Sequence, residues 1–143
     1  MTFRIIYASR ATRSYDRAEM RELCIRSTKR NREDGITGLF LYDGLRFLQA
    51  LEGDEARVKA TMARIAADGR HDDILYSFCE AVIRREFPDW SMEIPIGPGE
   101  DATTFVDKVK ADVRFVSDIR LQAQFIGFAK LAAIARYRIA TTD

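Results

Sequence analysis

The chain has 143 residues, 47% of them hydrophobic and 31% charged, which is typical of a globular protein with a core of its own. Its 23 basic and 22 acidic residues give a net charge of +1 and leave no electrostatic case for a nucleic-acid partner. No uncharged run approaches the roughly 20 residues of a membrane-spanning helix, and the N-terminus is too charged for a signal peptide. We therefore expect a cytoplasmic protein without a membrane partner.

The first two predicted elements are a strand and a helix. Residues 2–9 alternate between two faces, which predicts a strand with Tyr7 on its apolar face. Residues 17–30 follow as a helix with Asp16 as the N-cap. The inward stripe of this helix comprises Met20, Leu23, Cys24, Ser27 and Asn31. Because the stripe turns polar towards its end, Asn31 either faces the core or caps the helix C-terminus.

A β-hairpin with a polar side chain on its apolar face comes next. Residues 36–42 and 45–51 are predicted as antiparallel strands, because the Asp-Gly pair between them favours a tight turn. Gln49 alternates with two apolar residues of the second strand and so points towards the core. A buried amide without a partner costs roughly 1–3 kcal/mol, so Gln49 and Asn31 indicate a shared partner. A polar, planar ligand would serve, and the alternative for Gln49 is a neighbouring hydroxyl in the core.

The second helix and the loop after it contain the single histidine. The helix starts at Asp54, and the Asp68-Gly69 pair predicts its end. Arg70 and His71 open the loop that follows, where a lone histidine is more often a loop-bonding residue than a ligand. One histidine also excludes most zinc sites and catalytic triads.

Two further strands complete the first region. Residues 74–82 and 90–94 are predicted strands, separated by a solvated turn at residues 84–86. Trp90 and Met92 share one face of the last strand, as core residues do. The element order β-α-β-β-α-β-β is the ferredoxin-like pattern with one added strand. We therefore predict an α+β fold in which two helices cover one face of a five-stranded sheet.

A glycine–proline–glycine turn at residues 97–99 predicts a boundary between a first domain, residues 1–96, and a helical extension, residues 97–143. The extension is predicted as two helices, one with a valine stripe behind a capping box at Thr104 and one over residues 121–139. These apolar stripes must be buried, either on the sheet face that the first two helices leave open or against a second copy of the chain.

Neither metal nor disulfide chemistry is indicated by the sequence. Cys24 and Cys79 are isolated, and each falls on an apolar row, so both are predicted as reduced core thiols. No metal site is expected.

The chemistry that these patterns support is ligand binding rather than hydrolysis. The chain has no paired-carboxylate signature, nucleophile elbow, P-loop or Gly-x-Gly-x-x-Gly after its first strand. Tyr7, Asn31 and Gln49 are expected to line one cavity, where amides and a phenol suit a ring edge with alternating C=O and N–H groups. Arg32 and Arg70 could reach a charged tail of such a ligand.

These residues resemble the BLUF domain, the family of blue-light sensors that use flavin. The resemblance covers about residues 2–95. In chain order it comprises Tyr7-x-Ser9, Ser27 followed by Asn31, Gly35-Ile36-Thr37-Gly38, Leu41-Tyr42, Phe47-x-Gln49-x-Leu51-Glu52-Gly53, Asp68-x-Arg70-His71 and Phe87-x-x-Trp90-Ser91-Met92. Thr28 stands where the family often has arginine, and Gly69 where proline is common. The remaining residues look like the two-helix extension of short BLUF proteins.

The resemblance implies a photochemical mechanism. Tyr7 would donate an electron and a proton to photoexcited flavin through Gln49 and then recover them. What persists is a changed hydrogen bond, because an amide that rotates or tautomerises exchanges donor and acceptor, which an ionised glutamate could not do.

The resemblance also implies roles for other residues. The cofactor-binding residues would be Ser27, Asn31, Arg32, Gln49, Arg70 and His71, with Arg32, Arg70 and His71 nearer the ribityl and phosphate end. Trp90 and Met92 would relay the change at Gln49, and the sequence leaves open which of the two faces the flavin. FAD is expected as cofactor, with FMN and riboflavin as alternatives.

The expected function is therefore a flavin-binding blue-light receptor that is not an enzyme. It would signal by changing its contacts with itself or with a separate downstream protein, and the apolar last helix favours a homo-oligomer. One alternative is a ferredoxin-like regulatory module that binds a colourless small molecule or a protein partner. A flavin-dependent enzyme is disfavoured, because no substrate channel, second titratable cluster or nicotinamide site is evident.

Overall fold

The structure, a computed structural model, describes residues 1–94 and 102–141, excluding the side chains of residue 102 and of residues 133–141. The turn at residues 97–99, which predicts the domain boundary, lies outside the described residues.

The described elements follow the order β-α-β-β-α-β-β-α-α. They are β1 (Thr2–Ala11), α1 (Arg17–Glu33), β2 (Thr37–Tyr42), β3 (Arg46–Gly53), α2 (Glu55–Ala66), β4 (His71–Val82), β5 (Trp90–Glu93), α3 (Ala102–Asp112) and α4 (Ile119–Thr141). The strands form one sheet in the order β4-β1-β3-β2-β5, in which only β5 runs parallel to its neighbour, β2. The predicted α+β, ferredoxin-like fold with five strands is confirmed.

Each face of the sheet has a hydrophobic core of its own, because successive side chains of a strand point to opposite faces. The core under α1 and α2 includes Phe3, Ile5, Met20, Phe40, Phe47, Leu51, Val58, Met62 and Trp90. The core under α3 and α4 includes Ile6, Leu39, Leu48, Ala50, Phe105, Val109, Val113, Leu121, Phe125 and Phe128. The extension thus packs on the sheet face that α1 and α2 leave open, as one of the two predicted alternatives stated.

Local signals at the chain reversals act as the sequence predicts. The Asp16 side chain accepts a hydrogen bond from the Glu19 amide at 2.8 Å and caps α1. In the β2–β3 turn, Asp43 Oδ1 accepts from the Leu45 amide at 2.8 Å, and Gly44 adopts a φ of 99°, which other residues rarely reach.

The structure excludes one alternative for a helix end and corrects one prediction. Helix α1 continues to Glu33 and is capped by Asp34, so Asn31 is not its C-cap. Helix α2 ends at Ala66, and Gly69 lies three residues beyond without a left-handed conformation. The four residues 67–70 therefore connect the helix to β4 without a glycine cap.

The structure also corrects where β4 and α3 begin and how far the two cysteines are buried. His71 is the first residue of β4 rather than part of a loop. Cys79 is exposed, because β4 is an edge strand whose faces are largely uncovered, and Cys24 on α1 is half-buried. Helix α3 begins at residue 102, so Thr104 lies inside it and is not an N-cap.

The turn at residues 84–86 is not simply solvated. Glu86 accepts hydrogen bonds from the Ser117 amide at 2.8 Å and from its hydroxyl at 2.6 Å, which ties the β4–β5 loop to the α3–α4 connection. The Glu86 amide itself donates to the buried Glu52 carboxylate at 2.9 Å. Sequence periodicity missed this loop because its bonds reach side chains far away in the chain.

Candidate functional site

A cavity of about 510 Å³ lies between α1, α2 and the sheet. This volume falls within the range of about 300–1,000 Å³ that is usual for small-molecule sites. Its lining comprises Tyr7, Leu23, Arg26, Ser27, Arg30, Asn31, Phe40, Phe47, Gln49, Thr61, Arg64, Ile65, Asp68, Arg70, His71 and Met92. Aromatic and aliphatic walls thus surround a small number of amides, a phenol and several guanidinium groups.

Tyr7 and Gln49 form a hydrogen-bonded pair in the wall of this cavity. They are opposite each other in the β1–β3 ladder, so both side chains point to the same face. The Tyr7 hydroxyl donates to Gln49 Oε1, and the two residues are only 2% and 5% exposed. Burial raises the pKa of the Tyr7 phenol well above its usual value, and Tyr76 and Asp68 raise it further. The phenol therefore remains a neutral hydrogen-bond donor.

The α1 side of the cavity is polar. Ser27 and Asn31 lie one helical turn apart and both line the cavity. Within the part of the chain that the structure describes, neither the Asn31 side-chain amide nor Gln49 Nε2 bonds to another residue. Since buried amides normally have partners, these groups are available to a ligand that fills the cavity.

His71 lines the cavity but uses both of its ring nitrogens within the protein. A carbonyl oxygen can only accept, so His71 Nε2 donates to the Ile65 carbonyl at 2.5 Å. Nδ1 of the neutral ring then accepts from the Ser9 hydroxyl at 2.7 Å. His71 therefore joins β4, β1 and the end of α2, and it presents a ring rather than a hydrogen bond to the cavity.

The structure places the two predicted arginines differently. Arg70 lines the cavity, and its guanidinium lies 2.8 Å from the Asp68 carboxylate. Arg32 is exposed and is not part of the lining.

Three arginines that the sequence reasoning missed line the cavity instead. Arg26 and Arg30 lie on α1, and Arg64 lies on α2, 3.9 Å from the Asp34 carboxylate. Arg26 and Arg30 are four residues apart and directly precede Ser27 and Asn31, which belong to the inward stripe of α1. This spacing places the two arginines beside the stripe and could have identified them from the sequence.

Trp90 and Met92 both lie on the cavity side of β5, but only Met92 lines the cavity. Its sulfur is 3.7 Å from the Thr28 hydroxyl on α1. Trp90 is buried in the core beside it, and its Nε1 has no hydrogen-bond partner among the described residues. In this structure Met92 is therefore the residue that faces the cavity.

The cavity fits a flavin on the chemistry of its donors. The Asn31 amide and Gln49 Nε2 offer donors and an acceptor to the edge of a heteroaromatic ring, while Phe40 and Phe47 supply apolar wall. Guanidinium groups of the lining suit a phosphate. Among the described residues, no group of three or more His, Cys, Asp or Glu side chains could hold a metal ion.

None of the described helices, α1 to α4, is both long enough and apolar enough to cross a bilayer.

Comparisons with known proteins agree with this geometry. The family model of sensors of blue light using FAD matches residues 2–93. The blue light- and temperature-regulated antirepressor BluF of Escherichia coli is 31% identical over 90 residues, which are 63% of this chain. The chain spans 22% of that relative's length.

Solved structures extend the likeness to most of the chain. The dark-state structure of BlrB, a BLUF protein, is 29% identical with a TM-score of 0.64, and the match covers 92% of this chain and 96% of BlrB. BlrP1 from Klebsiella pneumoniae, solved with FMN and cyclic diGMP, is 28% identical with a TM-score of 0.71, over 89% of this chain and 35% of BlrP1. Since the family model alone matches well over half of the sequence, this chain belongs to the BLUF family, the sensors of blue light using FAD.

Proposed function

We propose that this protein is a blue-light photoreceptor in which Tyr7 and Gln49 carry out the photochemical step. The observation that carries the proposal is the buried Tyr7–Gln49 hydrogen bond in the wall of a flavin-sized cavity. The family model that matches residues 2–93 is described as sensors of blue light using FAD, which supports a sensing role for this region.

The cofactor is a non-covalently bound flavin. Asn31 and Gln49 hold the polar edge of its ring, with Ser27 beside them on α1, and Arg26, Arg30 and Arg64 attract its phosphate. His71 positions the cavity wall, and Arg70 adds charge near Asp68. These guanidinium groups favour FAD or FMN over riboflavin, because riboflavin carries no phosphate.

When bound, the flavin supplies a photoexcited ring that can accept an electron. Tyr7 is the donor, and its hydroxyl proton leaves towards Gln49. Because burial raises the pKa of this phenol, the proton does not leave before the electron. Both return to Tyr7, while the Gln49 amide stays rotated or tautomerised and presents a donor where it presented an acceptor.

Met92 and Trp90 pass this change to β5. Met92 lies in the cavity wall and Trp90 in the adjoining core, so a reoriented Gln49 alters the packing of both. The flavin-binding domain, residues 1–96, then acts on the extension, residues 97–143. The output is a changed contact with a downstream protein or with a second copy, in the cytoplasm.

The test is an absorbance spectrum in the dark and directly after blue illumination. We expect a flavin band that shifts slightly to the red and recovers in the dark. Tyr7→Phe and Gln49→Leu should keep the yellow flavin and lose the shift. A normal shift in Tyr7→Phe would remove the electron-donor role, and a protein that takes up no flavin would favour a regulatory module with a colourless ligand.

A further inference from the structure

Three large apolar side chains are exposed where the β4–β5 loop meets the α3–α4 connection. Ile83, Phe115 and Ile119 are 93%, 70% and 78% exposed, and we call them the junction patch. Single exposed apolar residues are ordinary in globular proteins. Here the three come from two segments that are joined by hydrogen bonds between Glu86 and Ser117, 31 residues apart in sequence, which indicates one contact surface.

Hydrogen bonds hold the two segments of the junction patch together. The Ser117 amide and hydroxyl donate to the two oxygens of Glu86, at 2.8 and 2.6 Å. The Arg84 guanidinium also donates to the Ser117 hydroxyl, at 3.4 Å. The patch is therefore part of a bonded junction rather than the tip of a free loop.

The two segments of the junction, residues 83–86 and 114–120, carry a net positive charge. Their charged side chains are four arginines, Arg84, Arg85, Arg114 and Arg120, and two acids, Glu86 and Asp118. Arg114 and Arg120 are exposed and flank Phe115 and Ile119 in the sequence, and the Arg114 guanidinium lies 4.5 Å from the centre of the Phe115 ring.

The junction is also connected to the strand that carries Gln49. Glu52 lies on the same strand, β3, and accepts hydrogen bonds from the Glu86 and Phe87 amides at 2.9 and 2.6 Å. The chain then enters β5, where Met92 lines the cavity. A displacement of β5 therefore moves the loop that carries one side of the junction patch.

We propose that the junction patch binds a segment of a separate protein in which apolar side chains are flanked by aspartate and glutamate. Apolar anchors beside arginine are typical of protein–protein contacts. A symmetric contact with a second copy would bring arginines towards arginines, which disfavours that occupant. This inference deepens the proposed function and rests on it for any dependence on light.

The experiment measures fluorescence anisotropy of labelled short peptides with the flavin-loaded chain of 143 residues, in the dark and under blue light. One peptide is built from leucine and glutamate, a second from leucine and lysine, and a third from serine and glutamate. We expect only the leucine–glutamate peptide to bind. Phe115→Ser combined with Ile119→Ser should weaken that binding about tenfold.

Two matched variants make the result specific. Leu45→Ser removes an equally exposed leucine from the β2–β3 turn and should leave the affinity unchanged. Arg114→Glu combined with Arg120→Glu should transfer the preference to the leucine–lysine peptide.

Three outcomes would overturn the inference. They are equal binding of the acidic and basic peptides, an equal loss in Leu45→Ser, and a concentration-dependent dimer that the Phe115 and Ile119 substitutions abolish. Failure here and failure of the proposed function are separable. Peptide binding without a light-induced spectral shift would refute only the photoreceptor, and a normal shift without peptide binding would refute only the junction patch.

Discussion

The two faces of the sheet bury polar groups in opposite ways. On the α3/α4 face, Glu52 is fully buried, and its carboxylate accepts from Arg4 Nε at 2.8 Å and from the Phe87 amide at 2.6 Å. Every oxygen of this carboxylate therefore has a partner within the protein. On the α1/α2 face, the side-chain amide of Asn31 has no hydrogen-bond partner among the described residues, and the side chain of Gln49 has only Tyr7.

The difference separates a structural polar network from a ligand site. Unpaired polar groups in a low-dielectric interior are costly, so a protein retains them where a bound molecule completes their hydrogen bonds. Substitutions of these polar residues should consequently change different quantities on the two faces. On the α3/α4 face they should lower the free energy of unfolding, and on the α1/α2 face they should weaken flavin affinity.

The largest effect is expected for Glu52→Leu. Removing the carboxylate leaves the Arg4 guanidinium buried without its partner, which should lower the free energy of unfolding by about 3–5 kcal/mol. Urea unfolding followed by circular dichroism measures this change. Glu19→Gln, which breaks the exposed pair with Arg13, is the control and should leave stability near that of the wild type. A Glu52 variant as stable as this control would contradict the prediction.

Asn31→Leu should show the opposite pattern on the α1/α2 face. Because this amide has no protein partner among the described residues, the apoprotein should unfold at the same urea concentration as the wild type or a higher one. Its flavin Kd should rise about tenfold, since the hydrogen bonds to the ligand are lost. Flavin fluorescence quenching provides the affinity. Loss of apoprotein stability with unchanged affinity would assign Asn31 to the core rather than to the site.

A smaller effect on affinity is expected at the arginines of the cavity. Arg30→Gln or Arg64→Gln should raise the Kd for FMN about threefold, the size expected for a partly exposed charge pair. The Kd for riboflavin should not change, because riboflavin lacks the phosphate. Arg32→Gln is the matched control, since Arg32 lies outside the cavity lining. Equal effects of the three substitutions would remove the phosphate role.

The smallest expected effect is a pH dependence at the contact between β5 and α3. Burial, and then the Asp112 carboxyl beside it, raise the pKa of Glu93 to about 8, while Lys108 opposes the rise. Burial also raises the pKa of Asp112, although Lys108 and Arg114 oppose it. Two adjacent carboxyls repel each other when both are ionised, which favours a proton on one of them.

The direction of this pH dependence follows from the raised pKa. In the folded protein Glu93 keeps its proton up to a pH of about 8, whereas in the unfolded chain it loses the proton at its usual pKa of 4.5. The free energy of unfolding is therefore highest below pH 4.5 and falls as the pH rises to about 8. In Glu93→Gln this fall should be absent, and the melting temperature at pH 8 should exceed that of the wild type by about 2 °C. If the wild type and Glu93→Gln gave parallel curves of melting temperature against pH, the raised pKa of Glu93 would be refuted.

The burial of Gln49 and Asn31 could be predicted from the sequence because it follows from local periods. A strand alternates every second residue, and a helix repeats about every third or fourth, so each amide was placed on an inward face without knowledge of the tertiary structure. The same reasoning predicted the hairpin and the Asp16 cap, which depend on residues only two or three positions apart.

Other features depend on where separate elements come to lie, which local patterns do not encode. Cys79 follows an apolar row but is exposed, because β4 is an edge strand. Arg64 reaches the cavity, and Arg32 does not, because of the positions of α1 and α2 over the sheet. The role of Glu86 depends on Ser117, which is 31 residues away in sequence.

The position of β5 in the sheet determines how easily the proposed signal can leave the site. Among the strands that the structure describes, this four-residue strand bonds to β2 alone and closes the sheet at one edge. Edge strands with one neighbour open locally at a fraction of the free energy that unfolds the whole domain. We expect the backbone amides of Ser91 to Glu93 to exchange with deuterium faster than those of β3, which lies between two strands. The element that carries Trp90 and Met92 can thus rearrange without breaking hydrogen bonds between the central strands β1, β3 and β2.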